Sequence, residues 1–283
     1  MYKSNSVWIT GASGRMGSAI KRILKKKTDY KVMATGKEVD ITDMQAVEQA
    51  FDIYKPNVII NCASISNADY CEENMVEAFK VNALGARNLA VVSMQHNVKI
   101  IHLSTDDVFS GENNRAKNEF DIPTPKTVYG KSKFAGENFV RELNPKHLII
   151  RSSWVYGTDK DGDYVKFVLD KAKAGESFEV PVDRVSSPTS ADRVAKFIVE
   201  MIPKKEYGIY HVSGEGVCTR YQMATAILSA AGYDTSLAVA SAGANDSAMV
   251  TTLLDNLMLK ITGLYEMPAW EEDLEKYVKG LKK

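Results

Sequence analysis

The 283-residue sequence predicts an α/β fold built on a doubly wound parallel sheet, the Rossmann architecture, with a smaller C-terminal domain. Short apolar runs alternate with helical patterns from the N-terminus to residue 153. The first run, Val7-Trp8-Ile9, leads through a glycine-rich turn directly into a helical pattern. The runs at 58–60 and 148–150 are wholly apolar, as expected of strands that are buried on both faces of a parallel sheet.

Composition narrows the class of protein. The 36 basic residues are balanced by 36 acidic residues, so no net field attracts nucleic acid or an anionic membrane. Three cysteines without a Cys-x-x-Cys pair indicate a reducing compartment and neither a disulfide framework nor a structural zinc site. The N-terminus lacks the apolar core of a signal peptide, and no run approaches the roughly 20 residues that span a bilayer. We therefore expect a cytoplasmic protein.

A glycine string, Gly11, Gly14 and Gly17, stands between the first predicted strand and a helix expected at 18–26. In this setting glycines let the backbone turn tightly and approach a pyrophosphate at the N-terminal end of the helix. The alternative is a glycine-rich turn that binds nothing. The string therefore predicts a dinucleotide site.

The end of the second strand, expected at 30–34, bears on the choice of cofactor. An acidic residue there would bind a ribose 2′-hydroxyl, whereas a basic residue would accommodate a 2′-phosphate. The chain continues Thr35-Gly36-Lys37-Glu38, without an aspartate directly at the strand end, and Arg15 lies in the glycine turn. We expect NADPH, with NADH as the other option, although Lys37 and Arg15 could equally be solvated surface charges.

Two later strands end in residues suited to a ligand. The strand beginning at Val58 ends in the small residues Cys62, Ala63 and Ser64, so its backbone can lie close to a cofactor. The strand at 99–103 is followed by the hydroxyl residues Ser104 and Thr105. Ligands of open α/β sheets bind outside the carboxyl ends of strands, so both positions favour a site. Capping of a turn is the alternative for the Ser-Thr pair.

Tyr129 and Lys133 are spaced to share one face of a helix predicted from 127 to 143. A phenol beside a cation can act as a proton donor, because the positive charge stabilises the phenolate and lowers its pKa. Tyr156 has the same spacing to Lys160, but the residues around it are typical of a turn. A partly exposed helix face is the alternative interpretation of Tyr129 and Lys133.

Regular alternation ends after residue 153. We expect residues 1–153 to form the dinucleotide-binding domain and residues 154–283 to form mainly a substrate-binding domain. A helix at 191–201 and a strand at 207–212 would return to the main sheet, so 186–215 is assigned to the first domain. The four scattered histidines give no metal-binding pattern, and the sequence leaves open whether the chain forms a homodimer.

These motifs occur in the order and spacing of the extended short-chain dehydrogenase/reductases, which the chain resembles. Within that superfamily it is most similar to the dTDP-4-dehydrorhamnose reductase family. The segments that carry this closer resemblance are Asp40-Ile-Thr-Asp43, Ser104-Thr-Asp-Asp-Val-Phe109, Tyr129-Gly-Lys-Ser-Lys-Phe-Ala-Gly-Glu137, Arg151-Ser-Ser-Trp-Val-Tyr-Gly157, Ser187-Pro-Thr189 and Trp270-Glu-Glu-Asp-Leu274.

The resemblance implies that Tyr129 donates a proton, that Lys133 tunes it and holds the nicotinamide ribose, and that Thr105 contacts the substrate oxygen. The residues expected at the cofactor are Gly11, Ser13, Gly14, Arg15, Met16, Gly17, Lys37, Asp40, Ile41, Cys62, Ala63, Ser64, Tyr129 and Lys133. Those expected at the substrate are Ser104, Thr105, Asp106, Asp107 and Trp154. Asp107 departs from the tyrosine usual in the family, and Arg184 departs from its usual glutamine.

The function implied is NADPH-dependent reduction of the C4 ketone of a nucleotide-linked 4-keto-6-deoxy sugar, dTDP-4-dehydrorhamnose to dTDP-L-rhamnose. Two alternatives remain. One is a nucleotide-sugar epimerase or dehydratase of the same superfamily, since a dehydratase typically has an acidic pair after its threonine, as in Thr105-Asp106-Asp107. The other is a non-catalytic NADP-binding regulatory subunit of another enzyme.

Overall fold

The structure is a computed structural model that describes residues 5–27, 29–111, 115–157, 162–242 and 250–281. Lys160, the partner considered for Tyr156, lies outside the described residues. In the described part of the chain, no helix combines the length and the apolar character needed to cross a membrane.

Thirteen strands occur among the described residues. They are β1 (Asn5–Thr10), β2 (Tyr30–Ala34), β3 (Val58–Asn61), β4 (Lys99–Thr105), β5 (His147–Ser152), β6 (Val155–Tyr156), β7 (Phe178–Pro181), β8 (Arg184–Ser186), β9 (Thr189–Ser190), β10 (Gly208–His211), β11 (Cys218–Thr219), β12 (Ala238–Ser241) and β13 (Val250–Thr251). Six form the main sheet in the order β10-β5-β4-β3-β1-β2, and the pairings of β1 with β2, β1 with β3 and β3 with β4 are parallel.

The α-helices of the described residues flank and connect these strands. They are α1 (Arg15–Leu24), α2 (Met44–Tyr54), α3 (Ala68–Glu73), α4 (Met75–Phe79), α5 (Ala86–Gln95), α6 (Val128–Leu143), α7 (Tyr164–Ala174), α8 (Ala191–Met201), α9 (Arg220–Ala231), α10 (Leu257–Thr262) and α11 (Trp270–Gly280). A π-helix, Lys80–Gly85, joins α4 to α5, and 3₁₀ turns occur at Asp106–Val108 and Thr235–Leu237. The predicted doubly wound α/β class is confirmed.

The strand order reverses beside β1, because β2 lies on one side of it and β3 on the other. Such a switch point leaves a crevice at the carboxyl ends of the strands, where ligands of α/β sheets bind. β3 and β4 are buried at every residue, including the polar residues Asn61, Lys99 and His102. A hydrophobic core that includes Trp8, Ile59, Ile100 and Leu89 holds helices against this sheet.

The chain divides into two compact units. The first comprises Met1–Ser110, Phe120–Arg151 and Ala195–Tyr210. The second comprises Gly111–Glu119, Ser152–Val194 and His211–Lys283, and its own core includes Val168, Ile227 and Leu274. The functional domain boundaries predicted at 153 and at 186–215 remain predictions.

One predicted helix differs in the structure. The pattern from 79 to 96 predicts a single helix, but α4, the π-helix and α5 occupy this part of the chain. A π-turn inserts one extra residue into a helix and is frequent at functional sites. Here it carries Asn82, whose side chain is buried.

Candidate active site

The glycine turn after β1 is shaped by close backbone contacts. Gly11 has a φ of 61°, and a Cβ built on it would lie 2.5 Å from the backbone nitrogen of Ala63. A Cβ on Gly17 would lie 2.4 Å from the Gly11 carbonyl oxygen. Both positions therefore require glycine. The turn leads into α1 at Gly14, and the first backbone N–H groups of that helix suit a phosphate.

A cavity of about 490 Å³ lies beside this turn. The predicted cofactor residues that line it are Gly11, Ser13, Gly14, Lys37, Asp40, Ile41, Cys62, Ala63 and Ser64. The sequence prediction missed further lining residues, namely Gly36, Val39, Ile65, Glu77 and Val81. The predicted residues Arg15, Met16 and Gly17 lie in the first turn of α1. The glycine cradle and this cavity together fit a dinucleotide.

Asn61, at the end of β3, fixes one wall of the cavity. Its side-chain oxygen accepts hydrogen bonds from the Thr10 hydroxyl at 2.8 Å and from the Ala63 backbone N–H at 3.1 Å. The amide nitrogen must therefore donate to Nδ1 of His102, which lies 3.0 Å away. Burial, and then the charge of Lys133, hold the pKa of His102 well below its usual value. The imidazole is thus a neutral acceptor at this position.

Asn88 fixes the loop after β2 through two hydrogen bonds. The Asn88 amide donates to the carbonyl oxygens of Ile41 at 3.0 Å and of Thr42 at 3.1 Å. Asp40 accepts from the Thr42 backbone N–H at 2.9 Å, which closes a tight turn. Asp40 and Ile41 therefore lie on a fixed edge of the cavity, where the resemblance implies an adenine.

The N-terminus of α6 is capped twice, and this positions Tyr129. Thr127 accepts from the Gly130 backbone N–H at 2.9 Å, and Glu72 of α3 accepts from the Val128 N–H at 2.8 Å. A Cβ on Gly130 would lie 2.1 Å from the Asp107 carbonyl oxygen. Glycine at 130 therefore lets the helix approach the end of β4.

Tyr129 is joined to Thr105 by a hydrogen bond between the two side chains. Burial, and then the charge of Asp107, raise the pKa of Tyr129 above its ordinary value, while the Thr105 hydrogen bond lowers it. The net shift is opposite to the lowering expected from Lys133. The phenol is consequently protonated at neutral pH, and the structure gives it a polar neighbour at the carboxyl end of β4.

Lys133 lies buried one helical turn beyond Tyr129. Its ammonium group donates to the Leu103 carbonyl oxygen at 2.6 Å. Burial lowers the pKa of Lys133 to about 8, although the charge of Glu137 opposes this change. Glu137 itself forms a buried ion pair of 2.7 Å with Arg151 of β5. The Lys133–Leu103 hydrogen bond and the Glu137–Arg151 ion pair thus link α6 to β4 and to β5, and the charge of Glu137 acts on Lys133.

Asn82 of the π-helix links the cavity wall to α6, and the sequence prediction gave it no role. Its side chain accepts from the Ile65 N–H at 2.8 Å and donates to the Ile65 carbonyl at 2.9 Å. It also donates to Ser132 at 2.9 Å, and Ser132 donates to the Tyr129 carbonyl at 2.8 Å. The only sequence signal at this position is an asparagine within the helix predicted from 79 to 96.

The remaining predicted substrate residues of the first unit lie at the end of β4 and in the 3₁₀ turn that follows it. Thr105 caps a 3₁₀ turn by accepting from the Asp107 backbone N–H at 3.2 Å, and the carboxylates of Asp106 and Asp107 lie 3.1 and 3.4 Å from its hydroxyl. The Ser104 hydroxyl is buried and has no hydrogen-bond partner within the described residues. Hydroxyl and carboxylate groups therefore cluster at this strand end.

Trp154 belongs to the second unit. Its φ of 39° is unusual for a bulky residue and indicates local backbone strain. The Arg220 guanidinium lies 3.6 Å from the centre of the Trp154 ring and 4.8 Å from that of Tyr164. The described residues contain no group of three or more His, Cys, Asp or Glu side chains arranged to hold a metal ion.

Comparisons with known proteins agree with this geometry. A family model described as RmlD substrate binding domain matches residues 5–283. A dTDP-4-dehydrorhamnose reductase from Aggregatibacter actinomycetemcomitans is 37% identical over 226 residues, 77% of this chain and 76% of that protein. A solved dTDP-4-dehydrorhamnose reductase from Clostridium acetobutylicum matches at a TM-score of 0.92 and 36% identity, covering 98% of this chain and 100% of that one. A solved one from Bacillus anthracis, in complex with NADP, matches at 0.92 and 34%, covering 99% and 100%.

Proposed function

The chain belongs to the RmlD substrate binding domain family. We propose that it is a nucleotide-sugar reductase. It is an NADPH-dependent oxidoreductase that reduces the C4 ketone of a nucleotide-linked 4-keto-6-deoxy sugar, dTDP-4-dehydrorhamnose, to give dTDP-L-rhamnose. The observation that carries this function is the hydrogen-bonded pair of Tyr129 and Thr105 at the carboxyl end of β4, with Lys133 buried beside it.

The glycine turn and the cavity walls would hold the cofactor. The N–H groups at the start of α1 would bind its pyrophosphate, and Asp40 and Ile41 would contact its adenine. Ala63 and Ser64 would lie along the nucleotide, and Lys133 would bind the nicotinamide ribose. When bound, the reduced nicotinamide supplies the hydride that the carbonyl carbon receives.

Tyr129 would donate its phenolic proton to the carbonyl oxygen of the substrate. Its raised pKa keeps that proton in place until negative charge develops on the acceptor oxygen. The hydrogen bond with Thr105 lowers the pKa of Tyr129 and therefore favours the phenolate that proton transfer leaves. Thr105 would thus position the substrate oxygen and ease departure of the proton.

The sugar nucleotide would be bound mainly by residues 154–283, together with Ser104, Thr105, Asp106 and Asp107. The Trp154 ring would pack on the sugar. The backbone of Trp154 is held in a strained conformation. Because the family usually carries tyrosine at 107, a carboxylate here changes the polarity of the sugar-facing wall.

One observation favours a second candidate, a nucleotide-sugar dehydratase. The carboxylates of Asp106 and Asp107 lie within 3.4 Å of the Thr105 hydroxyl, so an additional acid or base is at hand. A dehydratase would regenerate its nicotinamide cofactor within each cycle, whereas a reductase consumes one NADPH for each product. Cofactor stoichiometry therefore separates the two functions.

The test is to supply purified protein with dTDP-4-dehydrorhamnose, generated in place by the upstream enzymes, and to follow NADPH and NADH oxidation in parallel. We expect one NADPH oxidised per dTDP-L-rhamnose formed.

Tyr129→Phe should reduce turnover by about 100-fold or more, while Tyr207→Phe, a substitution of a partly exposed tyrosine, should not. Near-normal turnover by Tyr129→Phe would contradict the assignment. A stoichiometric partner protein with no turnover of any keto sugar would indicate a regulatory subunit.

A further inference from the structure

The pairing of β2 with β1 continues one residue beyond the strand itself. The Thr35 backbone N–H donates to the Ile9 carbonyl at 2.8 Å, and the Ala12 N–H donates to the Thr35 carbonyl at 2.9 Å. The effective end of this strand is therefore Thr35–Gly36, directly against the glycine turn. In dinucleotide-binding sheets this position meets the 2′ substituent of the adenosine ribose.

The carboxylate of Glu38 lies next to this strand end. The Gly36 backbone N–H donates to Oε1 of Glu38 at 2.7 Å. A Cβ built on Gly36 would lie 3.0 Å from Oε2 of Glu38 and 3.6 Å from the Ser13 hydroxyl, so Glu38 and Ser13 both lie next to the position that a side chain at 36 would occupy. Gly36, Ser13 and Lys37 all line the cavity. Glu38, although three residues past Thr35, therefore carries its charge to the cavity edge.

The two charged residues here have opposite preferences for the ligand. The Lys37 ammonium attracts a 2′-phosphate, whereas a carboxylate repels it and accepts a hydrogen bond from a 2′-hydroxyl. We propose that Glu38 is a specificity-determining residue that weakens NADPH binding and strengthens NADH binding. The Kd values for the two cofactors therefore become more similar. This inference rests on the proposed function, because it concerns the cofactor of the same site.

The charge of Glu38 is present throughout the neutral range. The hydrogen bond from Gly36 lowers the pKa of Glu38 below its ordinary value, so the carboxylate stays ionised well into acid conditions. Glu38 is exposed, and salt screens interactions between exposed charges. Its effect on a 2′-phosphate should therefore be greatest at low ionic strength and small at 1 M salt.

The experiment measures binding by calorimetry, with no sugar present. The probes are NADPH, NADH and the pair ADP-ribose and 2′-phospho-ADP-ribose, which differ only in the 2′ group. For Glu38→Gln we expect the Kd for both 2′-phosphorylated ligands to fall by about threefold to tenfold at low salt, and the Kd for NADH to rise. Lys37→Gln should raise the Kd for both 2′-phosphorylated ligands. Glu48→Gln, an exposed residue of α2, controls for the change in net charge.

The outcomes separate this inference from the proposed function. If the unaltered protein binds NADPH but Glu38→Gln changes the NADPH-to-NADH affinity ratio no more than Glu48→Gln does, the role of Glu38 is overturned and the function stands. If the unaltered protein binds neither nucleotide, the proposed function fails as well. An altered ratio that persists unchanged at 1 M salt would overturn the electrostatic account of Glu38.

Discussion

The Lys133 ammonium group donates a hydrogen bond of 2.6 Å to the carbonyl oxygen of Leu103, two residues before Thr105 in β4. This bond fixes a cation from α6 against the strand that presents the proposed substrate-binding hydroxyl. Lys133 is 3% exposed, and burial disfavours its charged form. Its pKa consequently falls to about 8, within the range of ordinary kinetic assays.

The first prediction concerns the pH dependence of turnover. Lys133 carries its charge below a pKa of about 8 and loses it as the pH rises through that value. We expect kcat at saturating NADPH and sugar nucleotide to decrease across this range. This decrease forms the alkaline limb of the pH–rate profile. Tyr129 does not account for the limb, because its pKa is raised above 10. A pH–rate profile from 6 to 10 provides the measurement.

Substitution of Lys133 tests whether this side chain causes the fall in kcat near pH 8. Lys133→Met should lower kcat by about 10-fold or more and remove the limb near pH 8. Lys131→Met changes an exposed lysine of the same helix and should leave the profile as it was. A limb that survives in Lys133→Met belongs to another group and would exclude this role for Lys133.

The second prediction tests the ion pair beneath Lys133. Glu137→Gln removes the carboxylate that holds Arg151 at 2.7 Å, where both side chains are at most 2% exposed. Breaking such a buried pair costs about 3–5 kcal/mol of unfolding free energy. Because the charge of Glu137 raises the pKa of Lys133, its removal should also move the limb of the pH–rate profile to lower pH.

Urea unfolding and the same pH series measure both effects. Glu142→Gln, at an exposed position of α6, is the matched control and should change stability by less than about 0.5 kcal/mol. Loss of stability without a shift of the limb would show that Glu137 supports the fold but does not act on Lys133.

The glycine turn and the strand ends could be predicted from sequence because each is encoded locally. Gly11 and Gly14 stand between a strand and a helix, and the small residues after β3 mark a close backbone approach. The helical spacing of Tyr129 and Lys133 likewise needs only the period of the helix. The structure places these residues after β1, after β3 and in the first part of α6, and their roles remain predictions.

What the sequence could not predict depends on contacts between distant segments. Glu38 follows the strand end by three residues, and only the Gly36 hydrogen bond brings its charge back. The pKa of Tyr129 was expected to fall because Lys133 is its helical neighbour, but burial and Asp107 determine the shift. The π-turn at Asn82 has no local signature in the helical pattern.

The third prediction concerns the approach of α6 to β4. Gly130→Ala would place a Cβ 2.1 Å from the Asp107 carbonyl oxygen, so helix and loop must separate. We expect a loss of about 1–3 kcal/mol of stability and a large drop in kcat, because Tyr129 moves away from Thr105. Gly280→Ala, whose Cβ would meet no described atom within 4 Å, should not lower stability. Equal thermal stability of the two variants would show that the close approach is not required.

The fourth prediction concerns Asn82, which connects the cavity wall to the helix of Tyr129. Asn82→Asp keeps the acceptor for the Ile65 N–H but replaces the donor to the Ile65 carbonyl and to Ser132 by a second acceptor. Leaving such buried groups unpaired costs about 1–3 kcal/mol, and more if the new carboxyl ionises.

Because Ile65 lines the cavity, the same change should weaken NADPH binding, and because Ser132 bonds the Tyr129 carbonyl, it should also lower kcat. Asn138→Asp, beside Arg141 on the outer part of α6, places a carboxylate next to a cation and should alter stability by less than about 0.5 kcal/mol. Calorimetric NADPH titration, steady-state kinetics and urea unfolding of both variants make the comparison. If Asn82→Asp unfolds earlier yet binds NADPH and turns over normally once folded, Asn82 stabilises the chain without positioning its site.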